Sequence, residues 1–258
     1  MLASSMISAI LAVPIAGLLG DAGWRWPFLL YLSGLPFALM ASLGLRQSAP
    51  RQSIEAGAEA NVRVAPATFF PFQLVLKGLL IGVLMYLVPI YVPFQLSRLG
   101  IDKPSTIGFA LTLELLIGAL VAIQFGRARR HFSSQSLFMF SCGGMAVGVT
   151  AFALAPSYHV ALASLLLIGL ASAWLYPNLL SRTIASVEDG RRGRTVGWVK
   201  SSLAVAPALG VAALEPVIVL LGLRSALLMI ALLAAVMCIS TQRHRITRSG
   251  WVSRFPRG

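Results

Sequence analysis

The sequence predicts an all-α polytopic membrane protein with about eight transmembrane helices, and three observations carry that expectation. The 258 residues are 57% hydrophobic and only 11% charged, with a mean hydropathy of +0.83. Uninterrupted apolar runs recur at about 20 residues, the length that crosses a hydrocarbon core of about 30 Å. The short connections between those runs are basic on alternate turns.

In chain order the spans fall near Leu2–Gly20, Trp26–Leu45, Leu74–Phe94, Ser105–Phe125, Gln135–Ala155, His159–Leu180, Val196–Leu220 and Leu223–Ser240. Helices are expected because a lone apolar run in lipid can satisfy its backbone only within itself. A membrane barrel needs strict alternation, which runs such as Leu165-Leu166-Leu167-Ile168 break. The first stretch reads as a span and not a secretory leader. Met1–Ser8 has no basic residue, the apolar part is long, and Pro14 lies inside it.

Charge placement sets the orientation. The connections after spans two, four and six, with the C-terminal tail, hold 15 of the 21 basic residues. They include Arg46, Arg51 and Arg63, then Arg127 and Arg130, then Arg191 and Arg192. The opposite side holds Arg25, Arg98, Lys103 and Arg224, with Lys77 and Lys200 near span ends. Basic loops stay inside, so both termini are expected in the cytoplasm of a bacterial-type inner (plasma) membrane. A net charge of +13 would suit nucleic acid on a soluble domain. Here it is divided among membrane-flanking segments, so the bilayer is the expected partner and nucleic acid is not. Cys142 and Cys238 fall inside spans as small hydrophobes, and neither a metal nor a cofactor is expected.

One connection is long. Arg46–Phe69 contains Gln47-Ser48-Ala49-Pro50 and Glu55-Ala56-Gly57-Ala58-Glu59-Ala60, a linker composition. It suggests a two-span part at 1–45, a cytoplasmic linker at 46–72, a six-helix bundle at 73–240 and a basic tail at 241–258. A weak repeat crosses the linker. Val13-Pro14-Ile15-Ala16-Gly17 precedes Gly23-Trp24-Arg25, as Ala206-Pro207-Ala208-Leu209-Gly210 precedes Gly222-Leu223-Arg224. Chance and common ancestry both explain it. Parallel six-helix halves are a recurring transporter design.

These residues resemble the major facilitator superfamily, in the order of its fifth to twelfth helices. Pro14 and Gly17 stand where drug and metabolite antiporters of that family carry a Gly-Pro-x-x-Gly-Gly signature, and Gly23-Trp24-Arg25-Trp26-Pro27-Phe28 looks like the outer turn into the sixth helix. Gly126-Arg127-Ala128-Arg129-Arg130 is similar to the family's basic cytoplasmic turn, and Arg191-Arg192-Gly193-Arg194-Thr195-Val196-Gly197 to the start of its eleventh helix. Val13 and Leu18 replace signature glycines, and the turn at Gly126 lacks the family's Asp. Nothing matches the first four helices. The resemblance implies secondary transport of a small-molecule substrate, of the drug or metabolite efflux type with proton coupling, by alternating access. The alternative is a transport-inactive remnant or an assembly subunit. A span-seven face without its partner helix would make the isolated chain unstable or self-associating.

Ionisable groups at membrane depth are the first pathway candidates, because a charge at the bilayer centre costs at least about 2.5–3.5 kcal/mol. Glu114 stands about 14 Å into span four. It is read as a substrate or proton contact, with a structural pairing as the alternative. Glu215, followed by Pro216, is expected near a helix bend, and Lys200 is expected to reach the cytoplasmic headgroups; each has a cavity role as its alternative. Tyr86, Trp174 and Asn178 complete the pathway candidates. Pro14, Gly17, Arg25, Gly126, Arg127, Arg130, Pro207 and Gly210 are the motif or gating candidates, while Gly144, Gly148 and Gly169 suggest close helix packing. An enzyme is not expected. His131, His159 and His244 all lie at or beyond span ends, and the sequence has no Ser/His dyad, metal motif or phosphate-binding loop.

Overall fold

The computed structural model describes residues 2–44, 71–187 and 191–252. Residues 46–70 of the expected linker, with Arg46, Arg51 and Arg63, fall outside these residues, while Pro71 and Phe72 stand at the start of the helix Phe72–Arg98. The helices are α1 (Leu2–Ala22), a 3-10 helix (Trp26–Ser33), α2 (Gly34–Gly44), α3 (Phe72–Arg98), α4 (Pro104–Ile123), α5 (Phe125–His131), α6 (Ser134–Ala153), α7 (Tyr158–Ser172), α8 (Leu175–Ala185), α9 (Arg192–Leu221) and α10 (Leu223–Val252). Among the described residues, six helical stretches are long and apolar enough to cross a membrane, with α7 and α8 counted as one. They match spans three to eight of the sequence reading within a few residues.

The second span differs. The expected single helix over Trp26–Leu45 is a 3-10 helix followed by the short α2. Pro27 and Pro36 explain the difference: neither has an N–H to donate, and each disfavours helical backbone at the residue before it. The sixth span is broken between Ser172 and Leu175. Pro177 cannot donate to the carbonyl of Ala173 and crowds it, and the ladder resumes where Asn178 N–H donates to Trp174 O at 3.1 Å. At the other extreme α10 runs on to Val252, past the expected end at Ser240.

Within the bundle α3 packs on α9, α6 on both α7 and α10, α4 on α7, and α9 on α10. Leu84, Leu87, Val88, Met145, Phe152 and Leu165 sit at its fully buried centre. Lipid tails are as apolar as leucine, so burial alone does not hold such helices together; close packing does. Glycine supplies it along the α3–α9 seam. Gly78 faces Val199 and Ser202, Gly82 faces Leu203 and Ala206, and Gly210 faces Leu87. Gly144 likewise meets Ala171, and Gly148 meets Ile168, between α6 and α7. Hydroxyls inside the spans turn back on their own helices. Thr112 donates to Gly108 O, Thr150 to Ala146 O and Ser164 to Val160 O, each at 2.7 Å.

Outside the bundle, α1 lies along α4. There Gly17 faces Pro104, Ser105 and Gly108, while Gly108 in turn faces the carbonyl of Val13. The turns carrying Arg127 and Arg192 lie at one end of the bundle, and those carrying Arg25, Lys103 and Arg224 at the other, as the alternation of helix directions requires.

Candidate functional site at the α4–α7 crossing

Glu114 projects from the middle of α4 where that helix crosses α7. The crossing is close because Gly169 has no side chain, so its α-carbon lies directly against the Glu114 main chain. Gly118, one turn further along α4, faces the Gly169 carbonyl. The Glu114 side chain is 7% exposed, and its Oε2 has no hydrogen-bond partner among the described residues. A buried carboxyl oxygen without a donor is a costly arrangement in a membrane-spanning bundle. It is available to a proton, a cationic group or a hydroxyl.

The other pathway candidates do not gather around it. Trp174 also bonds to α4, further along that helix from Glu114. Its Nε1–H donates to Val121 O on α4 at 3.0 Å, and its ring lies 5.7 Å from that of Phe140. Asn178 is fully buried but occupied elsewhere. Its Nδ2 donates to Ser134 O at 2.8 Å, and its Oδ1 accepts from the Ser134 hydroxyl, which ties α8 to the start of α6. Tyr86 on α3 is 46% exposed. Lys200 and Glu215 are exposed on α9, separated by about 22 Å of helix, toward opposite ends of the bundle. Pro216 lies inside α9, which continues to Leu221.

The motif candidates divide between packing and surface. Gly17 and Gly210 both make close helix contacts, the first with α4 and the second with α3, and Pro14 and Pro207 lie one turn before them inside their helices. The Arg25 guanidinium lies 5.0 Å from the ring centre of Trp24. Gly126, Arg127 and Arg130 are exposed on α5. Among the described residues no group of three His, Cys, Asp or Glu side chains is placed to hold a metal.

Two groups escaped the sequence reading. Gln95 of α3 donates from Nε2 to the carbonyls of Phe152 and Ala153, at 3.2 and 3.4 Å, closing the end of α6. Asp21, one residue past the first apolar run, accepts from Ser105 N–H at 3.1 Å. Its carboxyl is held below the ordinary range by hydrogen bonds from the Ser105 side chain and then its backbone, with Lys103 adding a smaller attraction. The sequence hints were slight: an amide near the far end of an apolar helix, and an acid just after the first apolar run.

The described residues thus form a helical bundle of six membrane-length segments, with glycine seams and a buried acid midway along α4. Residues 78–248, from within α3 to near the end of α10, match the Major Facilitator Superfamily. The chain belongs to the major facilitator superfamily. Members of this superfamily are transporters and not enzymes, and the protein is accordingly an integral membrane protein of the transporter class. A comparison with curated proteins finds no match.

Proposed function

We propose that this major facilitator chain takes part in secondary active transport of a small solute, of the drug or metabolite efflux type, driven by protons. The observation that carries the reading is the Glu114 carboxyl, buried at mid-helix with an unpartnered oxygen. Proton uptake or contact with a cationic solute removes the penalty of keeping that charge in an apolar bundle, so the two events compete for one group. Competition of this kind is the simplest antiport coupling. The bundle at 73–240 would move as one body against the part that contains α1, with the basic end in the cytoplasm of a bacterial-type inner membrane. Lys200 and Glu215 would act at the two mouths of the path, and the α5 arginines Arg127 and Arg130 at its cytoplasmic rim.

A second reading is an assembly subunit without transport of its own. It is favoured by α9, which exposes Gly197, Ser201, Ala204 and Ala208 as a small-residue face suited to another helix. The deciding experiment is a growth screen of a deletion strain against a panel of toxic small molecules at several external pH values. Complementation by the wild-type chain should restore resistance to some compounds, and Glu114→Gln should lose it and its pH dependence. Equal rescue by both at every pH would make Glu114 scaffold. No rescue by either would favour the assembly reading.

A further inference from the structure

The first turn of α4 is completed by a side chain from another helix. An α-helix begins with backbone N–H groups that its own ladder cannot satisfy. In α4 the N-cap Lys103 makes no side-chain cap, and Pro104 follows it without an N–H. Thr106 and Ile107 N–H both donate to Lys103 O, at 3.1 and 3.2 Å. Ser105 N–H is left, and its acceptor is Oδ1 of Asp21 at the end of α1. A carboxylate at this position also faces the positive end of the helix dipole.

Beneath this contact the two helices meet through glycine. Gly17 lies against Ser105 and Gly108, and Gly20 lies against Pro104. Such a crossing brings the two backbones together through small residues, without interlocking side chains. At the end of that packed crossing, the directional, charge-assisted bond from Ser105 N–H to the Asp21 carboxylate ties the two helix ends together.

We infer that Asp21 is a latch: it fastens α1 to the head of α4, and its release lets that end of the α1–α4 contact open. The inference rests on the reading of α1 and the bundle as parts that move against each other. It assigns the latch to the face opposite the basic end, so release would open the solute path toward the outside.

Spin labels at Leu18→Cys and Phe109→Cys, both exposed positions, in a Cys142→Ala, Cys238→Ala background, report the α1–α4 separation of the full chain in liposomes. The parent should give one short distance at neutral pH. Asp21→Ala should add a longer-distance population. Ser105→Pro should do the same from the other side, because it removes the donor N–H within the first turn, where no bond of the helix's own ladder is lost. Asp102→Asn, an exposed neighbour outside the contact, should change nothing. A single short distance retained in both Asp21→Ala and Ser105→Pro, with a monodisperse protein, overturns the latch. The distance measurement needs no transported solute, so a failed resistance screen with a positive distance shift would refute the transport reading and leave the latch standing.

Discussion

The α-carbon of Gly169 on α7 rests against the backbone carbonyl of Glu114 on α4, with no side chain between them. One glycine thus fixes how deeply the acid is set into the bundle. A β-carbon at Gly169 would collide with main chain, which cannot swing aside as a flexible side chain can.

Gly169→Val is therefore expected to push α4 away from α7. Overpacking of this kind costs typically about 1–3 kcal/mol. Thermal unfolding in detergent should show a clear fall in Tm, and Gly197→Val, at a position with open space around it, should not. Equal Tm values for the two variants would mean that the α4–α7 crossing does not set stability.

Asn178→Ala should destabilise the basic end of the bundle. The amide uses both its ends on Ser134, so truncation removes the two side-chain bonds that tie α8 to the start of α6 and leaves a gap at a fully buried position. The expected loss is about 1–3 kcal/mol. Asn178→Asp keeps the acceptor and loses the donor, so it should be at least as damaging. Unfolding midpoints in denaturant compare the two, and a wild-type midpoint for Asn178→Ala would show that the Ser134 contact contributes nothing.

The span architecture was legible because hydrophobic length and basic loops are properties of contiguous residues. Six spans fall where composition puts them. The second span was harder to read, since Pro27 and Pro36 act on hydrogen bonds that a hydropathy sum does not register. Position along a span was readable too: Glu114 stands midway along α4 and is buried there. Side-chain partners were not. Nothing in the spacing of Trp174 or Asn178 shows that one donates to Val121 and the other to Ser134, because those contacts span 53 and 44 residues and depend on how separate helices dock. Asp21 was invisible for the same reason: its partner lies 84 residues away.

Replacing Glu114 with leucine should separate function from stability. A buried carboxyl whose oxygen lacks a donor is destabilising where it stands, and an apolar side chain of similar size removes that cost. Glu114→Leu should thus keep or raise Tm while abolishing the resistance phenotype. A marked fall in Tm would show instead that the carboxyl supports the packing of α4 on α7, and the proton-pathway reading would fail with it.

Acid should loosen the α1–α4 contact in a way that depends on Asp21. Its carboxyl titrates below the ordinary value of 3.8 because Ser105 donates to the ionised form. A depressed folded-state value means that the contact contributes fully above the ordinary range and is lost as pH falls below 3.8 through the lowered one. The charged groups around it are few. Lys103 and Asp102 precede α4, Arg25 follows α1, Glu114 lies far deeper in α4, and the 3-10 helix Trp26–Ser33 carries no charged residue. Loss of the Asp21 charge also removes its attraction to Lys103, which acts in the same direction. The Leu18–Phe109 label distance, followed from pH 7 to pH 3, should therefore stay short and then lengthen in the acid limb. In Asp21→Asn the amide still offers an acceptor oxygen but cannot ionise, so the distance should be independent of pH. A matching acid step in both proteins would show that the pH response does not originate at Asp21.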